Sequence, residues 1–200
     1  MTEALLRPLI WMDYRLALLL TVIIPLALLV WSFVQRFEPI STLLGIYWKV
    51  ASLLAITVYL MIAAFPISFI AAILARVLIP ISLWFWVDIN DDIADMQPWR
   101  PLRVAFNSWR WAITMYCSIG ALFSLAFVPC AFSSKAALLQ KATCRVWLDA
   151  PWGFREVFHQ GSTPGFLGFL GIAGLVFYLA CLAYFLFVKL GRTGRSAATY

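Results

Sequence analysis

Between Val50 and Val87 the chain carries one charged residue, Arg76. About 18 consecutive apolar residues are enough to cross a hydrocarbon core about 30 Å thick. This stretch is long enough to cross twice, and the number of crossings sets the position of everything else. Two paths fit it. In one, it forms a hairpin of two spans that turns at Ala64-Phe65-Pro66. That turn holds no strongly polar group, although irregular backbone facing lipid is not tolerated. Arg76 then falls near the middle of the second arm, at a cost of roughly 3 kcal/mol on insertion scales. In the other path the stretch crosses once, as a tilted span from Val50 to Ala75 kinked at Pro66, with Lys49 and Arg76 at opposite interfaces. Residues 77–87 then run along the membrane surface, broken at Pro80 and held by Trp84 and Trp86. The single crossing is the favoured path.

The composition agrees with a membrane solvent. Of 200 residues 64% are hydrophobic and only 12% charged, about half the charge of a soluble domain. The expectation is one membrane domain over residues 1–200, an all-α bundle of four transmembrane helices with interfacial helices, or five if the hairpin forms. The spans are expected at about 16–34, 50–75, 111–128 and 165–188. Residues 1–14 read as an interfacial segment, with Trp11 and Tyr14 at headgroup depth. Pro25 should kink the first span by removing a backbone donor. No small-residue cleavage site follows that span, so it is expected to remain as a helix. The closing Ala197-Ala198-Thr199-Tyr200 matches no lipidation signal.

The net charge of +6 comes from lysines and arginines that flank apolar blocks. It points to lipid and the positive-inside rule rather than to nucleic acid. On that rule both termini are cytoplasmic and the connection 129–164 is extracytoplasmic. An internal echo supports it: Arg7-Pro8-Leu9 and Arg100-Pro101-Leu102 each precede a span, as if both helices started from one face.

Several constellations carry potential chemistry. Asp91-Asp92-Ile93-Ala94-Asp95 spells D-D-x-x-D. Such carboxylates suit Mg²⁺ holding a diphosphate, and Arg76, Arg100 and Arg103 stand nearby in sequence as phosphate or lipid-headgroup ligands. The competing reading is a solvated acidic loop with arginines paired to it. His159, with Glu156, gives a lone E-x-x-H, which reads as a surface histidine because a di-iron bundle needs two copies. Cys130 and Cys144 bracket part of the long connection, where spacing permits either a disulfide or two free thiols. Gly165, Gly168, Gly171 and Gly174 recur every third residue. They thin the last span for a close neighbour: another helix of the chain, a second protein or a pigment.

Four stretches taken together resemble a known family: residues 11–17 (WMDYRLA), 79–88 (IPISLWFWVD), 144–151 (CRVWLDAP) and 164–171 (PGFLGFLG). The chain resembles a family of small cyanobacterial integral membrane proteins classed as a domain of unknown function. The likeness runs over nearly the whole chain. It implies a cyanobacterial thylakoid or plasma membrane and transfers no activity or site residue.

No G-x-S-x-G, P-loop, Rossmann glycine pattern or C-x-x-C occurs. The functional expectation is a non-enzymatic membrane protein that needs no cofactor and associates with, or assists assembly of, a larger membrane complex. The alternative is a Mg-dependent enzyme or binder of a lipid or prenyl diphosphate using Asp91, Asp92 and Asp95.

Overall fold

The structure is a computed structural model that describes residues 3–197; Ala198, Thr199 and Tyr200 lie outside the described residues. The first helical run comprises α1 (Glu3–Ala17), a π-helical turn (Leu18–Ile23) and α2 (Ile24–Val34). Then come α3 (Glu38–Ile62), α4 (Ile67–Trp84), α5 (Val87–Ala94), α6 (Pro101–Leu125), α7 (Val128–Ala131), α8 (Lys135–Gln140), α9 (Ala142–Arg145), a 3-10 turn (Val146–Leu148) and α10 (Asp149–Phe158). The chain ends with α11 (Pro164–Tyr184), a second π-helical turn (Phe185–Lys189) and α12 (Leu190–Thr193). Among the described residues four helices are long and apolar enough to cross a membrane: 6–34, 38–62, 67–84 and 164–192. The protein is an all-α membrane bundle.

The stretch 50–87 does not form one continuous long helix. The helix stops at Ile62 and restarts at Ile67, so the span expected at 50–75 is two antiparallel arms, α3 and α4, packed on each other. Residues 77–87 are correspondingly not a surface piece, since Ile79 and Leu83 are fully buried in α4. Both objections to the hairpin are answered in the structure. The turn closes its own backbone as a Schellman motif: Phe65 N–H donates to Leu60 C=O at 3.0 Å, and Ala64 N–H to Met61 C=O at 2.9 Å, with Ala64 at φ 55°. The same device ends α2, where Phe37 N–H reaches Ser32 C=O and Arg36 takes φ 53°. The hairpin turn is also roofed. Trp152 Nε1 donates to Ile62 C=O at 3.2 Å, and Ala63 and Ala64 are only 3% exposed. The second objection, Arg76, is met by a partner described below.

The expected span 111–128 lies in α6, which ends at Leu125 and is not one of the four most apolar helices. It is nevertheless a full-length member of the bundle, packed along α4 and α2. Two cores mark the two ends. At one, Leu6 and Ile10 pack with Met61, Phe69, Cys130, Leu138, Cys144 and Trp147. At the other, Leu28, Ile40, Leu83, Ile93, Phe106 and Ala197 pack together. The N-terminal turns of α1 and the C-terminal tail therefore sit at opposite ends of the bundle. Pro8, inside α1, and Pro101, at the start of α6, also lie at opposite ends, so their sequence echo does not mark a shared end of the bundle. Residues 3–14 are continuous with the first long helix rather than a separate interfacial piece.

Pro25 frees more than its own bond. It cannot donate to Thr21 C=O, and the π-helical register just before it sends Ile24 N–H to Leu19 C=O, which leaves Leu20 C=O open. Both carbonyls are taken by other helices. Tyr47 OH on α3 donates to Thr21 C=O at 2.8 Å, and Trp109 Nε1 on α6 donates to Leu20 C=O at 2.8 Å. The two rings meet edge to face with centroids 5.1 Å apart. Replacing Tyr47 by Phe is expected to cost about 1–2 kcal/mol in detergent unfolding. In a Pro25→Ala background the loss should shrink, because the restored N–H satisfies Thr21; equal losses in both backgrounds would refute this accounting.

The glycine row faces α3. A Cβ on Gly168 would come within 2.5 Å of Ala63 Cβ and 2.8 Å of a Phe65 ring carbon, and one on Gly171 within 3.0 Å of Leu60. Gly174 faces Ile56, whereas Gly165 faces open space. The neighbour that the glycines admit is thus a helix of the same chain. Gly168→Ala is expected to lower stability by about 1–3 kcal/mol through overpacking. Gly165→Ala should be neutral or stabilising by up to about 1 kcal/mol through helix propensity. Melting both variants in one detergent checks the contrast.

Candidate functional site

The polar interior is built around Arg76, which α4 presents to the middle of the bundle with its side chain 9% exposed. One Nη forms an ion pair with the Asp13 carboxylate on α1. The other donates to Gly120 C=O at 2.7 Å and to Ser124 Oγ at 3.0 Å, both on α6. Tyr116 OH, also on α6, donates to Asp13 Oδ1 at 2.8 Å. A single buried guanidinium therefore ties α1, α4 and α6 together. Gly120 is required by this geometry. A Cβ there would stand 2.5 Å from Arg76 Nη1, so only a bare backbone lets the guanidinium reach the carbonyl. Ser124 completes the set by donating its own hydroxyl to Gly120 C=O at 2.7 Å.

A second polar knot lies toward the other end. Arg110 on α6 donates to Asn90 Oδ1 on α5 and lies over the Trp84 ring, 3.9 Å from its centroid. Trp84 Nε1 donates to Thr114 Oγ1 at 3.0 Å, and Asn90 Nδ2 donates to Trp86 C=O at 2.7 Å. The C-terminal tail closes this end. Asp88 Oδ2 accepts from Ala197 N–H at 2.7 Å and Ser196 OH at 3.0 Å, and Arg195 Nε donates to Phe85 C=O at 2.9 Å.

The residues expected to bind phosphate do not gather. Arg76 is committed to Asp13, Arg103 donates to Met96 C=O, and Arg100 lies over the Phe37 ring at 5.6 Å. Asp91, Asp92 and Asp95 are exposed on the outer side of α5 and its C-cap, while Ile89, Ile93 and Met96 face the core. Among the described residues no group of three or more His, Cys, Asp or Glu side chains is placed to hold a metal ion. The D-D-x-x-D spelling coincides with the exposed side of a short amphipathic helix. Cys130 and Cys144 are joined as a disulfide with Cα atoms 5.9 Å apart, both buried beneath the end cap formed by residues 126–160. His159 is half-buried, with Nε2 3.0 Å from Tyr59 OH.

Asp13, Tyr116, Gly120 and Ser124 were not singled out by the sequence reading. The available signal was a pair of opposite charges, Asp13 and Arg76, each adjoining or inside an apolar block. Opposite charges at membrane depth seek each other, but nothing in the spacing says that these two meet.

Four long apolar helices and an interior charge tie define a membrane-protein class. Within it, the chain matches the family described as Protein of unknown function (DUF3177) over residues 7–198, and it belongs to that family. No curated protein and no solved structure matches the chain.

Breaking a buried ion pair by removing one partner costs about 3–5 kcal/mol. Asp13 keeps 20% side-chain exposure, so Asp13→Asn is expected near the lower figure and Arg76→Gln at or above it. The double variant should lose clearly less than the sum. Additive losses in a double-mutant cycle, read by detergent unfolding, would show that the pair does not act as a unit.

Proposed function

We propose that the protein is a non-enzymatic component of a cyanobacterial thylakoid or plasma membrane that associates with, or assists assembly of, a larger membrane complex. The observation that carries this reading is how the interior charges are used: Asp13, Arg76 and Arg110 hold helices to one another. The chain's charged interior thus serves rigidity, as a scaffold requires. The outer faces supply contact area. On α6, Trp111, Met115, Ile119 and Leu122 are each more than half exposed and repeat along one face, the spacing by which one helix packs on another. Trp99, 90% exposed, projects from the loop before α6.

In this reading all five long helices cross the membrane. The end holding the Cys130–Cys144 disulfide faces the oxidising, extracytoplasmic side. The end holding Arg192 and Arg195 faces the cytoplasm. The N-terminus accordingly shares the extracytoplasmic side.

Cross-linking of native membranes with an impermeant amine reagent tests both parts together. Exposed Lys135 and Lys141 should react from the extracytoplasmic side and link to other membrane proteins. Links confined to this chain, with a monodisperse monomer in mild detergent, would refute the complex; reaction from the cytoplasmic side would refute the orientation.

A further inference from the structure

Three long apolar helices start or end around one place. α3 ends at Ile62, α4 begins at Ile67 and α11 begins at Pro164. Between them and the cap is an open hollow of roughly 330 Å³, floored by Ile62, Ala63, Ala64, Leu139 and Trp152. Two cations, Lys135 and Arg155, stand at its rim beside Glu156. Arg155 uses Nε on Ser162 C=O at 3.1 Å, and Lys135 Nζ lies 5.8 Å from the Phe65 ring centroid. Neither forms an ion pair among the described residues. From α10 the hollow is lined by Trp152, Arg155 and Glu156, with the α11 residue Pro164 completing the wall.

We propose that this hollow binds the headgroup of an anionic lipid, with Lys135 and Arg155 on its phosphate or sulfonate and the start of its acyl chains against the apolar floor of Ile62, Ala63, Ala64, Leu139 and Trp152. The depth argues for lipid, because three spans leave the hydrocarbon at the hollow and headgroups lie at that level. The charge argues for an anion: two cations outweigh one carboxylate, and each basic side chain at a membrane surface favours anionic lipid. The apolar floor argues for an amphiphile over a bare ion. The helix turn 63–66, which carries no side chain able to meet water, is thereby sealed by lipid as well as by Trp152.

The test uses the full chain in nanodiscs of equal phosphatidylglycerol and phosphatidylcholine, with native mass spectrometry of the lipid retained on ejection. The wild type should retain phosphatidylglycerol preferentially. Lys135→Gln with Arg155→Gln should reduce that preference about tenfold or more, while Glu156→Gln should strengthen it. Arg145→Gln, exposed at the same end but outside the hollow, should leave it unchanged. Equal retention of both lipids by the wild type overturns the proposal, as does an unchanged preference in the double variant or no gain in Glu156→Gln. Excess inorganic phosphate should not displace the lipid; full displacement would mean that the site takes a free oxyanion and the acyl part contributes nothing.

Discussion

Inside a bilayer every polar group left without a partner costs several kcal/mol, and this fold is arranged around that constraint. Its helices are not uniformly apolar rods. The first long helix has open carbonyls at Leu20 and Thr21, the α3–α4 turn has free ends, and α4 carries an arginine. Each defect is completed by a group on another helix: Tyr47, Trp109, Trp152 and Asp13, respectively. Packing specificity in such a bundle comes from these few directional bonds. Lipid tails solvate leucine as well as a neighbouring helix does, so apolar contact alone discriminates poorly between arrangements.

The glycine row shows the complementary device. Gly168 and Gly171 bring the α11 backbone against Ala63 and Leu60, and close approach replaces the missing hydrophobic drive with dispersion. Gly120 uses the same absence of a side chain for a different end. There the space admits a guanidinium instead of a helix.

Much of this was legible from the chain itself. The helical class and the apolar, membrane-suited character of the long helices follow from local pattern, because helix length and hydropathy are local properties. The hairpin was not legible. The two features that argued against it, a nonpolar turn and a mid-span arginine, are answered by Trp152 and Asp13, which lie 90 and 63 residues away. Sequence reasoning prices an unpaired charge correctly but cannot see its distant partner. The acidic cluster admits two readings from sequence alone. Asp91, Asp92 and Asp95 share the spacing of a metal motif, yet that spacing is also what a short helix shows when Ile89, Ile93 and Met96 face inward.

The π-helical turn ahead of Pro25 has a consequence for biosynthesis. The first helix emerges from the ribosome carrying two bare carbonyls, and the donors that cover them sit on the second helix and, much later, on α6. Until Trp109 has been synthesised, that helix is a poor lodger in pure lipid. The first helix is therefore complete only when α3 and α6 are both in place, which ties the earliest part of the chain to one made much later.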